Sequence, residues 1–315
     1  MQQYPRHPSR NSQQGVVIII ALFIVALVAT MSYVMMARLA RDTRRTELIL
    51  HDAQAGLYAQ GSILWAKDLL RNDWIKQKKN KRVDELPIQS PANDMNGYTI
   101  TSTINDAQGR FNLNNLSKPE WHVEFISLVH FVYPKMSQDA AAAVVHATFD
   151  WITPGTSDNE YAHYYAELPV PYRAAHRFIV DPAELLLVKG VTPELYAALK
   201  PYVTALPTVT PINAQSAPAP VLAMLSPGMS LETAQSIHDL LTQNPPPNMQ
   251  AFMTLDIIKN HQIKSERVTL TSQYFLVETE VKIERQRILL YTLLQRNSSA
   301  GKADMLVLWQ NRGMG

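Results

Sequence analysis

"NSQQGVVIIIALFIVALVATMSYVMMARLARDTRR" occupies residues 11–45, and its reading decides the fold. Residues 16–37 carry no charge, and only Thr30, Ser32 and Tyr33 interrupt the apolar run. As a helix this run would be about 33 Å long, enough to cross a hydrocarbon core of roughly 30 Å. A short, polar, basic leader ending in Gly15 precedes it. Three readings compete: a cleaved secretory signal, a permanent anchor, or a cut after Gly15 that leaves the run on the mature chain. A secretory signal carries only about 7–15 apolar residues before a small-residue cleavage site. This run is longer and no A-x-A pattern follows it, which disfavours the first reading.

The helical pattern continues past the run. Ile49, Ala53, Leu57, Leu64, Leu70 and Trp74 are expected on one face, with Glu47, Asp52, Lys67, Asp68 and Arg71 off it. No Pro lies between Pro8 and Pro87, and Gly56 and Gly61 cost the helix little. One helix is therefore expected to leave the membrane and continue as an amphipathic rod packed on a soluble domain. The flanking charges conflict with that picture. Arg6, Arg10 and the α-amino group stand before the run, whereas Arg38, Arg41, Arg44 and Arg45 follow it, offset by Asp42. The positive-inside tendency alone would put the C-terminal side in the cytoplasm.

With 315 residues the chain has room for one to three domains. Its 29 Lys and Arg against 27 Asp and Glu give no general attraction to nucleic acid or anionic lipid. Twenty Pro against 11 Gly predict stiff loops, and the absence of Cys excludes disulfides, thiolate metal sites and Cys nucleophiles.

The lysine-rich stretch from Arg71 to about residue 97 reads as a loop ending the long helix. Residues 98–103 then alternate as a strand, a turn follows at 106–109, and 111–116 reads as a second extended segment. From Lys118 to about Asn260 the pattern is helical. Ser117, Ser137, Asp181 and Thr192 are predicted caps, several followed by Pro, and "SLETAQSIHDLLTQN" (230–244) closes the set before the breaker "PPP" at 245–247. The period returns to two from Arg267. Strands are expected near 270–281 and 284–296, then a turn, "SSAGKAD", and a last strand, "MLVLWQ".

Catalytic signatures such as Gly-x-Ser-x-Gly, Walker A, GxGxxG and HExxH are absent. His146, His163 and His176 are scattered and read as surface or packed residues. In "FDWITPGTSDNEYAHYY", Asp150, Asp158 and Glu160 would offer oxygens to calcium, which takes six to eight. The competing reading is a solvated loop with Asp150 capping a turn. Residues 187–199 and 221–237 resemble helix-hairpin-helix elements. Residues 181–250, however, carry Lys189 and Lys200 against Asp181, Glu184, Glu194, Glu232 and Asp239, net −3. Ser230 also replaces a Gly that such hairpins use to approach phosphate. A polyanion needs Lys or Arg at its phosphates, so no nucleic-acid partner is expected.

The basic leader ending in Gly15, before a long apolar helix, resembles the type IV pilin and pseudopilin N-terminus. "DAQGRFNLNNL" (106–116), "FDWI" (149–152), "DPAELLLVKGVTPELYAALKPYVTALP" (181–207), "PINAQSAPAPVLAML" (211–225) and "SQYFLVETEV" (272–281) are similar to a narrower family. That family is general secretion pathway protein K, the large minor pseudopilin of type II secretion systems. The resemblance implies that prepilin peptidase cuts after Gly15 from the cytoplasmic side and N-methylates Val16. It also fixes the orientation, with the N-terminus cytoplasmic and the C-terminal domain periplasmic on a single inner-membrane span. Many pilins have Phe where Val16 stands. Most also carry Glu five residues after the cut, where it meets a neighbour's ammonium, but this chain has Ile20. A subunit at the filament tip has none above it, and an apolar residue there avoids an unpaired buried charge. The resemblance further implies a calcium site after Asp150, although Thr153 and Pro154 occupy part of the acidic pattern that relatives show.

The implied fold class is α+β: a pilin-like long N-terminal helix packed on a small antiparallel sheet, with a large all-helical domain inserted between strands. The expected organisation is a leader (1–15), a transmembrane helix (16–37) and its amphipathic continuation (38–80). The first part of the pseudopilin domain (81–117), the helical insert (118–262) and closing strands (263–315) follow. Implied partners are minor pseudopilins I and J, the major pseudopilin filament, the inner-membrane assembly platform, prepilin peptidase and the inner membrane. No cofactor is expected beyond the calcium implied at Asp150, Asp158 and Glu160. The alternatives are a signal-anchored periplasmic enzyme, which would need a catalytic cluster, and a DNA-uptake protein using the hairpins.

Overall fold

The structure is a computed structural model describing residues 12–80, 86–95, 97–155, 160–283, 286–299 and 302–314. Its first helix, α1 (Ser12–Asn80), is 69 residues long. The chain divides into two units at Tyr58 and Ala59. The first holds the apolar run, whose large side chains, among them Val16, Ile20, Phe23, Leu27 and Met31, are all exposed.

The second unit begins inside α1. Ala59, Ile63, Ala66 and Leu70 are buried, a spacing of three and four residues that marks one helix face. This corrects part of the expected face: Leu70 is buried and Trp74 packs against the same core as expected, but Leu57 and Leu64 are 67% and 68% exposed. The reason is size. Two alanines let the helix backbone approach the sheet closely, and a pattern sought in Leu and Ile passes over them. The lysine-rich stretch from Arg71, expected as a loop, also stays helical to Asn80. Lys, Gln and Arg are good helix formers, and no Pro or Gly stops them there.

Next come β1 (Ile88–Gln89), β2 (Asn93–Met95) and β3 (Tyr98–Asp106), the first two pairing side by side along β3. The helical block follows: β4 (Phe111–Asn112), 3-10 turns at Leu113–Ser117 and Pro119–Trp121, α2 (His122–Val132), α3 (Gln138–Ile152) and α4 (Glu160–Ala166). A 3-10 turn at Pro182–Leu187, α5 (Pro193–Leu199), β5 (Val203–Thr204), β6 (Ile212–Asn213) and α6 (Ala219–Ala223) come after it. The block closes with α7 (Leu231–Gln243), α8 (Met249–Thr254), α9 (Asp256–Asn260) and β7 (Val268–Thr269). The chain then returns to the sheet as β8 (Tyr274–Ile283), β9 (Gln286–Ser299) and β10 (Lys302–Met314).

The main sheet is antiparallel in the order β1-β3-β8-β9-β10. The insertion leaves β3 at Asp106 and rejoins β8 opposite it, Asp106 pairing with Phe275. β4 pairs with β5, and β6 with β7, as short parallel ladders outside the main sheet. Ile104, Phe275, Val277, Leu290 and Leu294 meet Ala59, Ala66 and Leu70 of α1 in one core. The block has its own core around Phe111, Trp121, Phe125, Trp151 and Leu222. Phe111 lies 5.1 Å from Phe125 and edge-on to Trp121 at 5.8 Å.

The expected caps Ser137 and Thr192 each accept from a backbone N–H three residues on, as Ser230 does at the start of α7, and the expected cap Asp181 forms a capping box with Glu184. Ser117 does not cap α2. Trp121 occupies that position without a side-chain bond, because the Pro119–Trp121 turn intervenes. The second extended segment shrinks to Phe111–Asn112 before a 3-10 turn. β9 and β10 are longer than expected, running to Ser299 and from Lys302 through most of the expected turn.

Candidate functional site: anchor helix and buried polar clamp

Gly15 and Val16 lie inside α1, with open space where a Gly15 Cβ would stand. Val16 is 57% exposed and Ile20 52% exposed. The helix from Gly15 is long and apolar enough for one membrane crossing, and none of its most apolar stretch is buried in protein. Exposed Val, Ile, Leu and Phe of this density are stable only against lipid or other helices. Leader residues 1–11 lie outside the described residues.

The motif "DAQGRFNLNNL" supplies the other notable chemistry, and sequence reading passed over it as strand and turn. Asp106, at the end of β3, accepts four hydrogen bonds. Gln108 N–H reaches Oδ1 at 2.8 Å, and Ser216 Oγ, Ser272 Oγ and Asn213 Nδ2 reach Oδ2 at 2.5, 2.7 and 2.7 Å. Burial pushes its carboxyl above the ordinary value of 3.8, against the pull of these donors from Ser216, Ser272, Gln108 and Asn213. Gln108 accepts from Gln273 N–H and donates to Pro211 O.

Three buried asparagines extend this network by gripping backbone from both sides. Asn112 accepts from Leu206 N–H and donates to Thr208 O; Asn115 does the same with Thr210 N–H and O. Asn114 accepts from Ile179 N–H at 2.8 Å and donates to Ile179 O and Leu206 O at 2.9 and 2.8 Å. An amide side chain carries both a donor and an acceptor, so it substitutes for a strand's edge where no strand fits. At Gly109 an added Cβ would stand 2.6 Å from Ser216 Oγ and 2.8 Å from its carbonyl, so the clamp needs the missing side chain.

A second tie crosses the block. Arg267 pairs with Glu124, donates to Glu120 O at 2.9 Å and lies over the Trp121 ring at 5.3 Å. These groups are bonded to neighbouring backbone and side chains. The cavity beside Asp106, lined by Asn105, Arg110 and Ser216, has about 220 Å³, below the roughly 300 Å³ of an ordinary ligand pocket.

Of the expected calcium ligands, Asp158 lies outside the described residues, as does the side chain of Glu160. Asp150 sits half-buried in the last turn of α3, and the neighbouring Thr153 carbonyl lies 3.1 Å from His176 Nδ1. Among the described residues no group of three or more His, Cys, Asp or Glu comes together. Of the three histidines, His146 and His163 are exposed and His176 is half-buried.

Comparison with known proteins agrees with these features. Residues 109–208 match the family described as "Type II secretion system (T2SS), protein K". The chain is 30% identical to type II secretion system protein K of Pseudomonas aeruginosa, over 96% of this chain and 95% of that one. It is 27% identical to the protein of the same name from Pectobacterium carotovorum, over 87% and 90%. A crystal structure of the GspK-GspI-GspJ complex from the enterotoxigenic Escherichia coli type 2 secretion system contains a similar fold. Its TM-score is 0.66 at 21% identity, covering 84% of this chain and 98% of that one. With a relative at this identity across nearly the full length, and with a long helix, antiparallel sheet and helical insertion in place, the chain belongs to the type II secretion system protein K family.

Proposed function

We propose that this chain is the tip subunit of a periplasmic pseudopilus, a structural assembly protein of type II secretion. The observation that carries the reading is the near-full-length similarity to protein K of Pseudomonas aeruginosa. In this reading prepilin peptidase cuts after Gly15 and methylates Val16. The leader stays cytoplasmic, the 16–37 span crosses the inner membrane, and the folded unit lies in the periplasm. Minor pseudopilins I and J are the expected neighbours, a pairing supported by the structurally similar chain's place in a GspK-GspI-GspJ complex. The exposed Leu64 and Ile75 on α1 offer an apolar face for another subunit's helix. Ile20 in place of a carboxylate suits a subunit with none above it, since an uncompensated charge in lipid costs at least about 2.5 kcal/mol. The helical block would form the exposed cap, and the assembly platform and major pseudopilin filament would act on the chain through α1.

The test has two arms. N-terminal sequencing of the membrane-extracted protein should begin at Val16, and Gly15→Ala should leave the leader attached. That substitution meets open space, so a folding defect would not confuse the result. The mature chain should also co-purify with I and J pseudopilins as a ternary complex. A wild-type chain still starting at Met1, or no ternary complex, would overturn the corresponding part.

A further inference from the structure

The proposed tip function leaves the arginines after the apolar run unused, and they oppose the charge bias expected of a periplasmic flank. Arg38, Arg41, Arg44 and Arg45 are all exposed on α1. Successive residues turn by about 100°, so Arg38, Arg41 and Arg45 fall within an arc of roughly 60°. Arg44 lies outside that arc and is engaged by Glu47 at 3.3 Å. Arg38 shares a shallow groove with Thr30, Met31, Val34 and Met35, one and two turns back along the same side. Arg41 is pinned to the helix by its Nε, which donates to Ala37 O at 3.0 Å. The guanidinium groups thus begin where the apolar run stops. From Arg38 to Arg45 is about 10 Å along the axis, enough to cross the roughly 5–7 Å headgroup layer on one side of a bilayer.

We propose that Arg38, Arg41 and Arg45 form a binding face for the phosphate headgroups of anionic phospholipid, in the leaflet at the C-terminal end of the run. A guanidinium presents a planar fork of donors that suits phosphate oxygens, and its apolar stem lies along the acyl chains. The groove below Arg38 is apolar, which fits an amphiphile with its phosphate at the arginine and its chain along Met31, Val34 and Met35. Aligned cations at headgroup depth favour anionic over zwitterionic lipid, and salt weakens that preference. The face makes the basic flank useful on the far side of the membrane: it holds the subunit at a fixed depth until it is withdrawn into a filament. This inference rests on the anchor reading of residues 16–37.

The test uses the full-length protein in phosphatidylcholine vesicles with and without phosphatidylglycerol. Spin-labelled lipids report the composition of the shell bound to the protein. The wild-type shell should be enriched in phosphatidylglycerol, and high salt should reduce the enrichment. The triple variant R38Q/R41Q/R45Q should lower it by at least about fivefold, the factor expected for one arginine near a charged surface. The variant R44Q/E47Q, outside the arc, should keep it. Equal shells of the two lipids around the wild type would overturn the proposal, as would an equal loss in R44Q/E47Q. Alkaline extraction from pure phosphatidylcholine separates the two readings. A wild type that resists extraction but shows no lipid preference sinks only the binding face. One that is stripped sinks the anchor and the face together.

Discussion

Asn114→Ala would remove the one side chain that holds both backbone groups of Ile179 and the carbonyl of Leu206. Asn114, Ile179 and Leu206 are buried, so three backbone groups would lose a partner away from water. An unsatisfied buried group costs about 1–3 kcal/mol, and partial relaxation brings the expected total to about 3–5 kcal/mol. That is a large share of the roughly 5–15 kcal/mol by which a domain is stable. Urea unfolding of the detergent-solubilised chain, followed by tryptophan fluorescence, reads the change through Trp121 and Trp151 in the block core. Asn72→Ala is the control, an exposed amide bonded only to Asp68, and should change stability by less than about 0.5 kcal/mol. Asn114→Asp keeps the size but points a carboxylate at two carbonyls, which raises its folded pKa above the unfolded value near 3.9. The native state then holds the proton more tightly, so this variant should lose stability as pH rises from that value and recover as it falls. A loss below about 1 kcal/mol for Asn114→Ala, or one no larger than the control's, would refute the view that these asparagines fasten the block.

Asp106 has a carboxyl raised by burial, so its contribution to stability should decline as pH rises above 3.8. Asp106→Asn should lack that slope when urea midpoints are compared from pH 4 to 7. Gly109→Ala should cost about 1–3 kcal/mol because Ser216 side chain and backbone must move, whereas Gly61→Ala, in open space on a helix, should gain up to about 1 kcal/mol in thermal unfolding. Arg267→Leu would leave Glu124 buried without its cation and should cost about 3–5 kcal/mol, while the double variant with Glu124→Leu should recover most of the loss.

Much of the fold was legible because its signals are local. Ser137 and Thr192 announce helix starts within four residues, and the apolar run announces itself by length. The asparagine clamp was not legible for the opposite reason. Apolar residues interspersed with Asn at 111–116 match a strand, and only partners 65 to 96 residues away turn those amides inward. The buried face of α1 was legible at Leu70 and Trp74 but not at Ala59 and Ala66, because close packing on a sheet selects small residues that carry little hydrophobic weight. At the candidate site, Gly15, Val16 and Ile20 are singled out by the resemblance of their order along the chain to the pilin N-terminus, while the carboxylates after Asp150 fall largely outside the described residues.

The insertion leaves and rejoins the sheet at one place, with Asp106 opposite Phe275 and the polar clamp at the fork. That arrangement makes the molecule mechanically one-sided. A pull on the helical block would load both strands at the same end and open their ladder rung by rung, as a zipper opens, once the bonds of Asp106 and Gln108 gave way. A push would press the block onto the strand ends, where the same bonds bear compression and nothing has to peel. A body built this way resists thrust better than tension.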